Sequence, residues 1–113
     1  MIDTMYYVYI LRCSDNSLYT GYTTDVMRRF SEHLSKTGKG AKYTHSRIPV
    51  RIEAVWGSDS RSAAMRLEAF IKKIKKSAKE EIIKDNSLLL KKCSDKLDIQ
   101  AYTILDRKSI YED

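Results

Sequence analysis

The sequence predicts a small α/β (α+β) domain in which a mostly antiparallel three-stranded sheet is flanked by helices. Residues 5–11 and 18–23 are apolar, β-branched and aromatic runs separated by a polar turn, a pattern typical of two hairpin strands. Residues 26–36 and 61–76 carry apolar side chains at helical spacing. A chain of 113 residues suits one domain with a modest core.

The first strand is predicted to be central, because both of its faces carry apolar or amphipathic side chains. Residues 14–17 form the polar turn that follows it. Opposed residues of a hairpin share a face, so Tyr9 and Tyr19 share one only if odd positions pair with odd positions. Cooperation between the two tyrosines therefore predicts a loop of odd length or a compensating bulge. Gly21, inside the second strand, marks a bulge or a close backbone approach.

The first helix follows the capping pair Thr24-Asp25 and presents a buried stripe to the core. That stripe consists of Val26, Met27, Phe30 and Leu34. Arg29 and His33 are one turn apart at the edge of the stripe, where a side chain can reach a cleft. Arg28 and Glu32 are expected to point away, which makes Arg29 the better functional candidate. The alternative is that both edge residues only extend along the rim.

The rest of the chain predicts one more strand and further helices. Residues 50–56 alternate apolar and polar side chains and are polar at one end, which indicates a strand at the sheet edge. A long helix over residues 61–76 and another over residues 78–89 follow, and residues 99–105 are compatible with a further strand. We assign residues 1–86 to the main domain and residues 87–113 to a C-terminal extension of unknown role.

The net charge of +6 is concentrated in two segments. Residues 28–51 contain seven bases and one acid, and residues 61–84 contain eight bases and three acids. Neutralising phosphates releases counterions, so a basic body suits a nucleic-acid partner, and a solvated lysine-rich surface is an equally good reading of the charge alone. Tyr43 lies among Lys42 and Arg47, a mixture typical of contacts with a nucleic-acid backbone and a stacked base. The alternative for this segment is a connector with its tyrosine in the core.

Other classes of protein are disfavoured by the sequence. Cys13 and Cys93 are isolated, which argues against a zinc site and leaves no disulfide framework. The chain opens with no signal-peptide pattern, and its longest apolar run is far shorter than a membrane span. We therefore expect a cytoplasmic protein that needs neither a membrane nor a small-molecule cofactor.

The tripeptides Tyr7-Val8-Tyr9 and Tyr19-Thr20-Gly21 are followed at set distances by Arg29, His33 and Glu68. In order and spacing, these five elements resemble the motifs of the GIY-YIG nuclease superfamily. The first tripeptide departs from the family pattern by lacking its glycine, but it retains the second tyrosine and its hydroxyl.

The resemblance covers roughly residues 5–84. Within the family, the chain is similar to the short stand-alone bacterial members, and residues 40–44 share in that similarity. Many family nucleases carry an asparagine near the end of the domain, whereas Asn86 of this chain stands in a different sequence context.

The resemblance implies a metal-dependent DNA endonuclease that hydrolyses phosphodiester bonds. It implies that Glu68 holds one divalent ion, Mg²⁺ or Mn²⁺, and that Arg29 stabilises negative charge on the phosphate. Tyr9, Tyr19 or His33 would take the proton from water, and a tyrosine base needs positive charge nearby to lower its pKa. The target would be branched DNA, a weakly specified site, or one chosen by a guiding protein subunit.

Alternative readings remain for the charged residues and for the activity. The candidate nucleic-acid-binding residues are Lys42, Tyr43, Arg47, Arg51 and Lys72. By spacing alone, Glu68 would form a surface ion pair with Lys72, four residues along the helix. A catalytically weak nucleic-acid-binding module with the same fold is the alternative function.

Overall fold

The structure is a computed structural model that describes residues 4–37, 48–93 and 97–105, with the side chains of residues 4–33 in the first of these ranges. Its elements in chain order are β1 (Tyr6–Cys13), β2 (Leu18–Thr23), α1 (Val26–Thr37), β3 (Pro49–Ser58), α2 (Arg61–Lys73), α3 (Lys76–Lys84), α4 (Ser87–Lys92), a 3₁₀ turn (Ile99–Ala101) and β4 (Thr103–Leu105). None of the described helices is long and apolar enough to cross a lipid bilayer.

The four strands form one antiparallel sheet in the order β2-β1-β3-β4. The predicted α/β class with an antiparallel sheet is confirmed, but the sheet has four strands rather than three. The prediction that β3 is an edge strand is wrong, because β4 pairs with its residues 55–57. The polar side chains of β3 misled the prediction: Glu53 is buried in an ion pair with Arg12 instead of facing water.

The β1–β2 hairpin has the register that Tyr9 and Tyr19 need in order to share a face of the sheet. Tyr9 lies opposite Gly21 and Leu11 lies opposite Tyr19, so both tyrosines are on one face of the sheet. The N–H of Cys13 donates to the carbonyl oxygen of Ser17 at 2.9 Å, which leaves the three residues 14–16 as the loop. The predicted odd loop length is confirmed.

The hairpin loop depends on Asn16, which has a φ of 69° in the left-handed region. Asparagine adopts this conformation more readily than most other residues with a side chain. The N–H of Asn16 donates to the carbonyl oxygen of Cys13 at 2.9 Å, and Asp15 accepts hydrogen bonds from Ser17. These contacts close the turn in the three-residue form that usually ends in a left-handed residue.

Helices cover the sheet on both faces, so β1 is central as predicted. The larger core joins one face of the sheet to α2, α3 and α4, and its fully buried side chains are Val8, Ile10, Trp56, Leu67, Ile71, Ile82 and Leu89. The smaller core joins the other face to α1, and its buried side chains are Tyr9, Leu11, Val26, Ile52 and Val55.

The helix predicted over residues 78–89 is two helices, α3 and α4. The amide group of Asn86 donates to the carbonyl oxygen of Ile82 at 2.7 Å, satisfying the end of α3. The backbone carbonyl oxygen of Asn86 accepts a hydrogen bond from the indole N–H of Trp56 at 3.4 Å. Asn86 therefore terminates a helix and joins it to β3. Helix α2 ends at Lys73, three residues earlier than predicted.

The segment after α3 packs into the larger core. Leu89 and Cys93 are fully buried there, and the hydroxyl of Tyr102 donates to the carbonyl oxygen of Ala63 in α2 at 2.7 Å. Strand β4 covers the end of β3. Residues 87–93 and 97–105 thus support α2 and β3 directly.

A buried ion-pair network holds α3 against the sheet. The guanidinium of Arg12 donates to Glu53 at 2.8 Å and to both carboxylate oxygens of Glu80 at 2.6 Å. Glu53 is the extra residue of a bulge in β3 and also accepts from Arg51 at 3.1 Å. Removing one partner of such a network leaves an uncompensated charge in a poorly hydrated place.

We expect Glu80→Gln to lower the free energy of unfolding by about 2 kcal/mol at neutral pH, because Arg12 loses a charged partner. The hydrogen bonds from Arg12 hold the pKa of Glu80 below its usual 4.5. The stabilisation is therefore complete above that pH and is lost as the pH falls through the lowered value. Urea unfolding of both proteins at neutral and acidic pH measures the difference.

Glu81→Gln is the matched control, because the side chain of Glu81 is 60% exposed and its ion pair is long, with Oε2 3.7 Å from Nζ of Lys92. Exposed pairs of this kind contribute less than about 1 kcal/mol. Equal losses in the two variants, at every pH, would show that Arg12 does not anchor α3.

We expect Tyr102→Phe to destabilise the protein by about 1 kcal/mol, because it removes a buried hydrogen bond to α2 without changing the shape of the ring. Urea unfolding measures this loss. Tyr7→Phe, on the opposite face of the sheet, controls for the loss of a half-buried hydroxyl. No difference between the two variants would mean that the segment carrying Tyr102 does not stabilise the core.

Candidate functional site

Three elements bring aromatic and basic side chains together at the β2 side of the sheet. Tyr9 comes from β1, Tyr19 from β2, and His33 from α1. The ring centroids of Tyr9 and Tyr19 are 6.3 Å apart, and those of Tyr19 and His33 are 4.9 Å apart with the rings edge to face. The three rings therefore form a continuous row, with Tyr19 in the middle and 40% exposed.

The row depends on the absence of a side chain at Gly21. A Cβ atom there would lie 2.5 Å from the hydroxyl oxygen of Tyr9, 2.8 Å from its Cζ, and 3.3 Å from Cε2 of Tyr19. The predicted close approach at this glycine is confirmed, and the approaching group is the ring of Tyr9. Strands β1 and β2 pair without a bulge.

Burial dominates the proton affinity of Tyr9. The residue is 2% exposed, and desolvation, with a smaller effect of Tyr19, raises the pKa of Tyr9 to about 12. The guanidinium of Arg29, which lies beside the hydroxyl, acts in the opposite direction. The expected lowering by Arg29 is thus present but smaller than the effect of burial. Tyr9 keeps its proton at neutral pH.

Arg29 is held by an acid on its own helix. Its Nη1 donates to Oε1 of Glu32 at 3.1 Å, and this hydrogen bond is the main reason that the pKa of Arg29 is raised. Glu32 is predicted to point away from the buried stripe, and its side chain is 45% exposed. Its carboxylate reaches Arg29 because residues three apart are neighbours on a helix surface, a spacing that the sequence already contains.

Glu68 lies on α2 with a side chain that is 20% exposed. The Nζ of Lys72 is 3.4 Å from its carboxylate, so the ion pair expected from the spacing is present. The charge of Glu68 also contributes to raising the pKa of Tyr9, which shows that the carboxylate is within electrostatic range of the tyrosine hydroxyl. An exposed pair of this spacing is worth only about 0.3–0.5 kcal/mol and leaves the carboxylate available to a stronger cation.

Of the other candidate residues, three are not described by the structure and Arg51 makes its contacts elsewhere. Lys42, Tyr43 and Arg47 lie outside the described residues. Arg51 is exposed and pairs with Glu53, so it belongs to the network around Arg12. In the part of the chain that the structure describes, no three His, Cys, Asp or Glu side chains are grouped as a metal site would require.

The model of the GIY-YIG catalytic domain matches residues 5–81, about two thirds of the chain. This chain belongs to the GIY-YIG family. The resemblance predicted from the tripeptides is confirmed, and the family is one of nuclease type.

Relatives of this GIY-YIG protein occur in bacteria and archaea. It is 51% identical over 78 residues to UPF0213 protein BH0048 of Halalkalibacterium halodurans. The aligned residues are 69% of this chain and 81% of that protein. It is 49% identical over 86 residues to UPF0213 protein SAG0778 of Streptococcus agalactiae, covering 76% and 96%. It is 49% identical over 78 residues to UPF0213 protein VNG_2274C of Halobacterium salinarum, covering 69% and 99%.

A solved structure is also similar to this GIY-YIG protein. It is the solution NMR structure of UPF0213 protein BH0048 from Bacillus halodurans, with 49% sequence identity and a TM-score of 0.47. The similarity covers 71% of this chain and 83% of that one.

We expect Gly21→Ala to destabilise the GIY-YIG domain by about 1–3 kcal/mol, because the new methyl group overlaps the buried ring of Tyr9. Urea unfolding gives the loss, and NMR shifts of the Tyr9 and Tyr19 rings report their displacement. Gly57→Ala is the matched control, because its Cβ would be 3.2 Å from the flexible end of Met5. Equal losses, with unchanged tyrosine shifts in Gly21→Ala, would contradict a ring held against residue 21.

Proposed function

We propose that this protein is a metal-dependent DNA endonuclease that hydrolyses phosphodiester bonds, either in branched DNA or with weak sequence specificity. One observation carries the proposal. In a chain of the GIY-YIG family, the fold lines up the rings of Tyr9, Tyr19 and His33 in one row. Arg29 lies beside the Tyr9 hydroxyl, and Glu68 is within electrostatic range of it.

Arg29 supplies the positive charge that phosphoryl transfer requires. Negative charge develops on the phosphate oxygens in the transition state, and a planar, permanently charged guanidinium can donate two N–H groups to them. Its side chain is 35% exposed, so a DNA phosphate can reach it, and its attachment to α1 holds it in place. Arg28, the neighbouring base on the same helix, is exposed and is not assigned to the site.

Glu68 is the proposed ligand of a divalent cation. Its carboxylate, together with waters and phosphate oxygens of the DNA, is the kind of donor set that Mg²⁺ or Mn²⁺ uses in substrate-bound sites. A single protein carboxylate fits this chemistry better than it fits zinc, which needs several nitrogen or sulfur ligands. The bound ion would supply a Lewis acid beside the phosphate.

The water oxygen bonds to phosphorus and its proton goes to Tyr9, Tyr19 or His33. The bond between phosphorus and the leaving sugar oxygen breaks, and that oxygen takes up a proton from solvent. Tyr9 has a raised pKa of about 12, so it can accept a proton only when the site contains more positive charge than Arg29 provides. In its protonated form, Tyr9 instead donates a hydrogen bond that orients the water or a phosphate oxygen. Tyr19 is 40% exposed and contacts the ring of His33 edge to face.

The structure describes two of the proposed DNA-binding residues, Lys72 and Arg51. Lys72 is exposed beside Glu68, and Arg51 is exposed at the start of β3. We include Lys42, Tyr43 and Arg47 on the basis of their sequence pattern alone. The net charge of +6 supports binding to the DNA backbone without sequence recognition.

The organisation of the chain is part of the proposal. We place the activity in residues 1–86 and treat residues 87–113 as an extension whose described part supports α2, the helix that carries Glu68. We propose that target choice depends on DNA shape or on a guiding protein subunit.

The second candidate function is a nucleic-acid-binding module that has lost efficient catalysis. It is favoured by two features of the described site: Tyr9 keeps its proton, and Glu68 is already paired with Lys72. Binding of DNA would then be sensitive to salt while no product forms.

The experiment is a cleavage assay on labelled duplex, flap, splayed-arm and four-way-junction DNA with Mg²⁺ or Mn²⁺. We expect Tyr9→Phe, Arg29→Ala and Glu68→Ala each to slow cleavage by about 100-fold or more, because each removes a group that acts on the reacting phosphate or water. Arg28→Ala is the matched control and should cut at nearly the wild-type rate. DNA affinity is measured separately by fluorescence anisotropy.

Binding without cleavage by the wild-type protein would support the binding module. The same residual cutting in all four variants would indicate a contaminating nuclease and would refute the assigned site.

A further inference from the structure

Arg29 is the proposed phosphate-binding arginine, yet its guanidinium is bonded to an acid on the same helix. We propose that Glu32 is a positioning residue that fixes the guanidinium of Arg29 beside the Tyr9 hydroxyl before DNA binds. This inference rests on the role of Arg29 in the proposed function. Glu32 would thereby join the site although it is not part of the family motifs.

The geometry places Arg29 between two fixed groups. On one side, Oε1 of Glu32 accepts from Nη1 at 3.1 Å. On the other side lies the hydroxyl of Tyr9, a residue that is 2% exposed and held by the sheet. A guanidinium has five N–H donors in a rigid fork, so these two contacts leave donors for a phosphate.

The ion pair between Arg29 and Glu32 has a shorter distance between its charged atoms than the other ion pairs within the described helices. Its atoms are 3.1 Å apart with hydrogen-bond geometry, whereas the Lys72–Glu68 and Lys76–Glu80 pairs are 3.4 and 3.8 Å apart. Exposed pairs contribute little to stability, so a role in folding does not account for a well-formed contact at this place.

The charge of Glu32 makes its position informative. It is the single acid among residues 28–51, a segment with seven bases. A carboxylate beside a phosphate-binding arginine repels the phosphate, which weakens DNA binding unless the carboxylate also orders the arginine. An arginine that is already ordered loses less side-chain freedom when it binds the phosphate, and it is aligned with the charge that develops in the reaction.

Three variants test the inference: Glu32→Ala, Glu32→Gln and Glu81→Ala. The glutamine keeps an oxygen that can accept from Arg29, whereas the alanine does not. Glu81→Ala removes the same charge from an exposed pair with Lys92 in another helix, so it reports the general effect of net charge on DNA binding. Single-turnover cleavage rates and DNA dissociation constants are measured separately for each protein.

We expect Glu32→Ala to cleave about tenfold more slowly than Glu81→Ala, because a misplaced charge donor stabilises the transition state less well. Its DNA dissociation constant should match that of Glu81→Ala, and Glu32→Gln should recover most of the rate. Equal rates for the two alanine variants would overturn the inference and leave Glu32 as a solvated surface acid. Cleavage faster than that of Glu81→Ala, or binding tighter than that of Glu81→Ala, in both Glu32 variants would also overturn it, because Glu32 would then compete with the phosphate.

A second measurement does not depend on cleavage. Relaxation of the ¹⁵Nε signal of Arg29 in the DNA-free protein reports the order of its guanidinium. We expect this order to fall in Glu32→Ala and to be retained in Glu32→Gln and Glu81→Ala. If the wild-type protein does not cut DNA, the proposed function fails, and unchanged order in Glu32→Ala would independently overturn the positioning role.

Discussion

The contact between the ring of Tyr9 and the backbone of Gly21 is the constraint on which the site depends. This contact places the Tyr9 hydroxyl over β2, the edge strand of the sheet. It requires Tyr9 and Tyr19 to lie on the same face of the sheet. A shift of one residue in the pairing would turn Tyr19 to the other face. The register is set by a three-residue loop that closes through the left-handed conformation of Asn16.

Burial gives this site its precision and also limits its chemistry. Tyr9 is held tightly because it belongs to the smaller core, and the same burial raises its pKa to about 12. The charged residues differ, since Arg29 and Glu68 are partly exposed and each is paired with an opposite charge on its own helix. The site therefore combines a buried, protonated Tyr9 with partly exposed charges, the groups that the proposed function assigns to DNA and a cation.

The elements that support the site are held by interactions distant in sequence. Arg12 joins the first hairpin to β3 through the buried carboxylate of Glu53 and to α3 through the half-buried carboxylate of Glu80. Tyr102 binds α2 from the C-terminal segment. Helix α2 carries Glu68, so the hydrogen bond from Tyr102 holds in place the helix that carries the proposed cation ligand. The C-terminal segment also covers the end of β3 with a fourth strand, which leaves less of that edge open to other chains.

The sequence by itself determined whatever depends on neighbouring residues: the central β1, the odd loop, helix α1, the edge position of Arg29 and the family motifs. Local periodicity and turn chemistry are properties of short segments, so they can be read without the fold. Tertiary structure decided the interior position of β3 and the break at Asn86, because partners from distant segments satisfy their polar groups. It also decided the proton affinity of Tyr9, since desolvation depends on what the whole chain packs around the hydroxyl.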